Sequence, residues 1–217
     1  MFAYCGNNPV NNADPSGNLY ENIRSLNKQW GVPAPITQTQ PPYSDHPQAI
    51  EESSSSVGNS SSGDLTGEQM HENATIVYNH LSGEGWSTNA ICAVLGNMNV
   101  ESRTINPGMH QPDGGGYGLV QWDPESQYLD WAVENGYSAD SLMGQVKFLL
   151  ITMQPGAGCW FPYPNYKDYY MPYTNFISSN ESIDYLTQVF LWSYERAGTP
   201  HTDRRINSAN YWSNYFN

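Results

Sequence analysis

The chain has 217 residues, of which eight are Lys or Arg and 21 are Asp or Glu, for a formal charge of −13. That balance argues against nucleic acid as a partner, since phosphates need a basic footprint, and it removes long-range attraction to anionic polymers such as those of bacterial walls. Charged residues are 13% of the chain while tyrosine alone contributes sixteen, a polar and aromatic composition that suits sugar recognition as it suits any secreted protein.

Residues 1 to 38 are turn-rich (Gly6-Asn-Asn-Pro9, Asp14-Pro-Ser-Gly17), with one weak helical patch from Leu19 to Trp30. They carry too little apolar surface to bury a core alone, and read as the end of something larger. Their start lacks both a cationic segment and an apolar run, so it is no signal peptide. Residues 39 to 65 contain Ser53-Ser-Ser-Ser56 and Ser60-Ser-Ser62 among prolines, a flexible linker by composition. The globular unit is therefore expected at residues 66 to 217. No stretch approaches the length of a membrane span.

Thr66-Gly-Glu-Gln69 reads as a capping box. Met70, Ala74, Val77 and Leu81 follow at helical spacing until Gly83 and Gly85. Ser87 caps the next helix, with Ile91, Leu95 and Met98 as its core stripe and Ala90, Val94, Asn97 and Glu101 on the adjoining one. Pro107 forbids its continuation. Gly114-Gly-Gly-Tyr-Gly118 and Leu119 to Trp122 predict a small β-hairpin. Asp123-Pro124 opens a third helix with Tyr128, Trp131 and Ala132 inward, and Asp123 as its cap. Leu142, Val146, Leu149 and Met153 mark a fourth, starting near Asp140. Residues 155 to 176 read as a proline–tyrosine loop. Ile183, Leu186, Phe190 and Tyr194 predict a helix running to Gly198, and a last one spans about Asp203 to Trp212. The expected class is α+β: mainly helical, with one small hairpin.

Glu101 is the residue this pattern makes most informative. A carboxyl at the end of a buried helix loses hydration and lies against the helix's partial negative charge, and both disfavour its charged form. Such a group can hand a proton to a leaving oxygen, which breaking a glycosidic bond requires. The bland alternative is a helix-end carboxylate held by backbone or arginine hydrogen bonds, with Arg103 the nearest cation. Cleavage usually also needs a nucleophile or a base. Asp113, Asp123, Glu125 and Glu195 are the candidates: Asp123 and Glu125 are explained by the helix start, Asp113 precedes the predicted strand, and Glu195 follows an apolar helix. Cys5, Cys92 and Cys159 are an odd count without C-x-x-C spacing, so they define neither a metal site nor a disulfide framework. A Cys92–Cys159 bridge and a core role for Cys92 both remain open, the latter favoured. The five histidines show no metal spacing. Cys159 with His201 makes a poor peptidase pair, because Pro162 and Pro164 block the helix a cysteine nucleophile expects.

Over residues 67 to 217 the chain resembles the phage tail lysozyme family, within the group of goose-type lysozymes and soluble lytic transglycosylases. Leu95-Gly-Asn-Met-Asn-Val-Glu101-Ser102, Ile105-Asn106-Pro107-Gly108, Gly115-Gly-Tyr-Gly-Leu-Val-Gln121-Trp122 and Tyr194-Glu195-Arg196-Ala197-Gly198 carry the likeness. The resemblance implies a lysozyme-like domain cutting the β-1,4 link between N-acetylmuramic acid and N-acetylglucosamine, with Glu101 as general acid and no cofactor or metal. It maps Gly118, Leu119 and Gln121 onto the substrate groove. The residues themselves add Ser102, Tyr117, Trp122 and Glu195 as candidate substrate contacts, the two aromatics reading equally as core or hairpin residues, and Asp113 as candidate second carboxylate. The Ala-Tyr-Asn-Ala-Gly motif of lytic transglycosylases is absent, which favours hydrolysis. The alternatives are a lytic transglycosylase using the same acid, or a glycan-binding module without catalysis.

Residues 2 to 17 are similar to the terminal segment of an RHS-repeat-associated core. That likeness implies a payload attached to a larger exported shell, secreted or at the cell surface, with peptidoglycan as substrate and an immunity protein among its partners. An interaction module on that shell is a third reading.

Overall fold

The computed structural model describes residues 58–111 and 114–217. Among these residues seven α-helices form the body: α1 Gly67–Gly83, α2 Thr88–Glu101, α3 Ser126–Glu134, α4 Leu142–Met153, α5 Tyr173–Ile177, α6 Ile183–Phe190 and α7 Thr202–Phe216. The segment read as an RHS-like end, residues 1 to 38, lies outside the described residues.

Local chemistry accounts for the helix starts. Thr66 and Gln69 form the reciprocal capping box at α1, satisfying two donors that a helix end would otherwise leave unpaired. Ser87, Ser141 and Ser182 cap α2, α4 and α6, each accepting a backbone N–H of the first turn. The third helix begins at Ser126, later than expected, and Asp123 does not cap it: residues 123–125 form a turn, and the backbone carbonyl of Asp123 accepts from Gln127. The loop at residues 155 to 176 also holds a 3₁₀ turn at Lys167–Tyr169 and, at its end, the start of α5.

Helix α2 is the centre of the body. Residues 90–98 are buried without interruption, and a helix apolar all round must be enclosed on every side. It packs most extensively on α7, then on α6, with α1 and α5 completing the enclosure. Gly96 stands at the α2–α7 crossing, where a Cβ would lie 2.6 Å from both the Cβ and the backbone nitrogen of Ala209. Cys92 on the same helix is a free, buried thiol, pushed up to about 12 by burial, so the Cys92–Cys159 bridge left open by the sequence does not form.

The small β-hairpin does not form as expected. Among the described residues there is no strand, only two single antiparallel pairings, His110 with Tyr117 and Tyr117 with Trp122. Gly118 and Gln121 both take positive φ (78° and 53°), so residues 118–121 coil into a tight turn instead of extending. Competing partners take the ladder donors: Leu119 N–H donates to Gln145 Oε1 at 2.8 Å and Gly118 N–H to the Met109 carbonyl at 2.8 Å.

The last part of the stretch read as a linker, residues 58–65, lies against the body. Asn106 holds it, accepting from Ser61 N–H at 3.1 Å and donating to the carbonyls of Ser61 and Gly63 at 2.8 and 2.6 Å. Thr104 Oγ1 accepts from Leu65 N–H at 2.9 Å, and Leu65 is buried. No helix of the described residues is long and apolar enough to cross a membrane.

The crossing at Gly96 yields a direct test. Gly96→Ala should destabilise by about 1–3 kcal/mol through overpacking against backbone, despite alanine's better helix propensity. Gly83→Ala, whose Cβ meets nothing within 4 Å, should be neutral or slightly stabilising. Urea denaturation of the two variants measures the contrast.

Candidate active site

Glu101 ends α2 with its side chain 3% exposed, and it is not alone there. Arg205, from the first turn of α7, donates from Nη2 to Glu101 Oε1. From Nη1 it donates to Glu195 Oε2 at 2.5 Å and to Asn97 Oδ1 at 2.9 Å, and from Nε to the Pro200 carbonyl at 2.7 Å. Arg205 and Glu195 are each 1% exposed. Asn97 is fixed in turn by donating to the carbonyls of Ala93 and Thr187 at 2.8 and 3.2 Å. One planar guanidinium thus joins the ends of three elements, a geometry suited to holding two carboxylates at once.

A break in the helix expected to run from Ile183 to Gly198 puts Glu195 there. Regular α-helix ends at Phe190, and Leu191–Glu195 form a widened π turn closed by Arg196 in the left-handed region. Such turns shift the phase of the side chains that follow. Both Tyr194 and Glu195 face the interior as a result. Tyr194 anchors the turn: its hydroxyl accepts from Trp122 Nε1 at 3.1 Å and bonds Thr152 Oγ1 at 2.7 Å. Arg196 sends its guanidinium elsewhere, to the carbonyls of Cys159 and Ser193 and over the Phe161 ring.

The electrostatics follow from burial. Loss of hydration holds the Glu195 carboxyl well above its usual 4.5; Arg205 pulls it back, and the Glu101 carboxyl pushes it up again by charge and hydrogen bonding. The Oε1 oxygen of Glu195 is buried without any other hydrogen-bond partner. Arg103, the expected cation beside Glu101, turns outward to Asp64 at 2.9 Å.

The remaining predicted residues fall into a second group. Ser102 is buried and closes α2, donating to the Met98 carbonyl at 2.7 Å and accepting from Asn106 N–H at 3.2 Å. Gln121 is buried, its amide nitrogen donating to the carbonyls of Met109 and Gly118 at 3.2 and 2.8 Å. Leu119 is enclosed in the core, and Trp122 stacks on Tyr128 with centroids 5.1 Å apart. Tyr117 packs edge-on to His110 and borders a shallow depression of about 410 Å3, whose lining includes Ser60, Ser61, Ser62, His110 and Asp140. Asn106 connects this depression to the end of α2 through Ser61 and Ser102. Of the carboxylates weighed as partners of Glu101, Glu195 is beside it and Glu125 pairs with His110 at 3.2 Å. Asp113 lies outside the described residues. Among the described residues no three His, Cys, Asp or Glu side chains gather for a metal ion.

Arg205 was absent from the sequence-based site. Its signal was available: Arg205, Ala209 and Trp212 recur at helical spacing and are the buried stripe of α7. A cation on an apolar stripe, in a chain with eight Lys and Arg in all, demands a buried anion.

A mainly helical body with a buried glutamate closing its central helix is the architecture that the sequence motifs led one to expect of a lysozyme-like protein. The phage tail lysozyme profile matches residues 72–216, and the chain belongs to that family. Among curated proteins it is similar to Morphogenesis protein 1 of Bacillus phage B103, 40% identical over 153 residues. That alignment covers 68% of this chain and 40% of the relative, so the chain spans well under half of the relative's length.

Glu195 makes stability depend on pH. A carboxyl whose folded value lies above its unfolded one contributes stability that is fully present below the unfolded value and is lost as pH rises through the folded one. The wild-type chain should therefore lose unfolding free energy above pH 4.5 relative to Glu195→Gln, by at most about 1.4 kcal/mol per pH unit. Denaturant melts of both proteins across pH 4 to 8 measure the difference, and parallel curves would refute the assignment.

Proposed function

We propose that this chain is a peptidoglycan hydrolase, a muramidase cutting the β-1,4 bond between N-acetylmuramic acid and N-acetylglucosamine, with Glu101 as general acid. The observation that carries this reading is the burial of Glu101 at the end of the central helix, oriented by Arg205, in a chain of the phage tail lysozyme family. Arg205 donates to Oε1, and on this reading the carboxyl of Glu101 delivers its proton to the bridging oxygen of the glycan. Protonation of that oxygen accompanies C–O cleavage and the build-up of an oxocarbenium-like sugar.

The depression beside Tyr117 supports a glycan substrate. Its serine hydroxyls, His110 and Asp140 supply donors and acceptors, and hydroxyl-rich sugars are recognised by such groups together with aromatic rings. On this reading the turn from Gly118 to Trp122 forms the groove wall through its backbone, as the family resemblance implies for Gly118, Leu119 and Gln121, while Ser102 orients the end of the catalytic helix. The acidic chain gains no long-range attraction to anionic walls, so contact chemistry at the groove carries recognition. Action at or beyond the cell surface, as the cargo of a larger exported protein, fits this substrate.

A lytic transglycosylase would use the same acid and close an anhydro ring. Mass spectrometry of released muropeptides separates the two: water-added reducing ends are expected, anhydro ends would reassign the reaction. Glu101→Gln should slow clearing of a wall suspension by about 10²–10⁴-fold while retaining the wild-type melting transition to within a few degrees. Equal clearing by both proteins, or wall binding without clearing by either, would instead make the domain a glycan-binding module.

A further inference from the structure

The Glu101–Arg205–Glu195 cluster has an unbalanced charge. Two carboxylates face one guanidinium, and with both ionised the buried site carries a net negative charge; one added proton makes it neutral. Like charges at such range in a dehydrated site do not both ionise readily. The position for the proton is visible, because Glu195 Oε1 is buried with no other hydrogen-bond partner and Glu101 lies beside it. The groups facing Glu195 are Arg205 from α7, Glu101 from α2 and, on its own turn, Tyr194, whose phenol is pushed up to about 12, first by burial. Neither Arg205 nor Tyr194 is an alternative proton store near neutral pH.

We propose that Glu101 and Glu195 hold a single exchangeable proton between them, with Arg205 neutralising the remaining charge, so that Glu195 is a positioning residue that keeps the acid loaded. This rests on the general-acid role of Glu101. In the cycle, Glu101 gives the proton to the bridging oxygen as the C–O bond breaks and its electron pair goes to that oxygen. The cluster then carries the uncompensated negative charge beside the forming sugar cation. Water adds through its oxygen to the sugar carbon, and the proton that water loses returns to the pair. Glu195 ends each turnover as it began.

The test uses the full chain in two measurements. The first is ¹³C NMR of protein labelled at the glutamate δ-carbon, titrated from pH 3 to 9. In wild type one glutamate should remain protonated well above the ordinary carboxyl range; this titration should be lost in Glu195→Gln and should move to lower pH in Glu101→Gln, where burial alone still holds Glu195 up. A wild-type spectrum with every glutamate titrating in the ordinary range overturns the proposal, and this result does not depend on any variant folding. The second is the pH profile of wall clearing. With a neutral amide at 195 the opposing charge is gone, so the alkaline limb of kcat/KM should move to lower pH by about one unit or more. An unmoved limb in a folded Glu195→Gln overturns the proposal as well. The two readings fail separately: undiminished clearing by Glu101→Gln sinks the general-acid role, whereas loss of clearing in that variant with no high-pH glutamate in wild type sinks only the shared proton.

Discussion

A single guanidinium held out of water between two carboxylates is the constraint from which the rest of this structure can be read. Arg205 can be buried only if its donors are met, and meeting them requires the end of α2, the widened turn after α6 and the start of α7 to converge on one point. Buried ion clusters are weak sources of stability, and apolar replacements of similar volume often do as well. Removing Arg205, by contrast, would leave two buried carboxylates without their counter-charge and cost several kcal/mol. The cluster therefore specifies a geometry more than it strengthens a fold. Gly96 and Ala209 serve the same geometry by letting α2 and α7 approach closely enough for Arg205 to reach across.

The backbone around that point is unusual in a consistent way. Among the described residues, five non-glycine residues take positive φ: Arg103, Ile105, Gln121, Arg196 and His201. Arg103 and Ile105 follow Glu101, Arg196 follows Glu195, and His201 precedes the helix that carries Arg205. Left-handed conformations cost most residues about 1–2 kcal/mol, and they tend to gather where surrounding contacts over-determine a functional geometry. The π turn at Leu191–Glu195 belongs to the same pattern. The π turn and the left-handed Arg196 that closes it end α6 abruptly, so that Glu195 points into the cluster.

Most of the helical body was legible from periodicity and capping, because those signals act over one or two turns. The capping box at Thr66 and the apolar run through α2 are examples: their causes sit next to their effects in the chain. The hairpin was misjudged because glycine spacing and a short apolar run say nothing of competing partners, and Gln145, far along the chain, takes the donor that a strand would have used. Glu101 could be singled out locally, but its setting could not. The sequence shows a carboxyl at an apolar helix end; that an arginine 104 positions later supplies its counter-charge is a tertiary fact. Glu195 was readable as inward-facing only in outline, since the π turn that aims it obeys no local pattern.

Asn106 has a mechanical consequence. Its one amide group clasps the segment at Ser61 and Gly63 while its backbone is tied to Ser102, the residue that follows Glu101. A displacement of Ser61 or Gly63 would therefore act directly on this clasp. The packing of residues 61–63 and the seating of the loop behind the proposed proton donor thus share a single hinge pin.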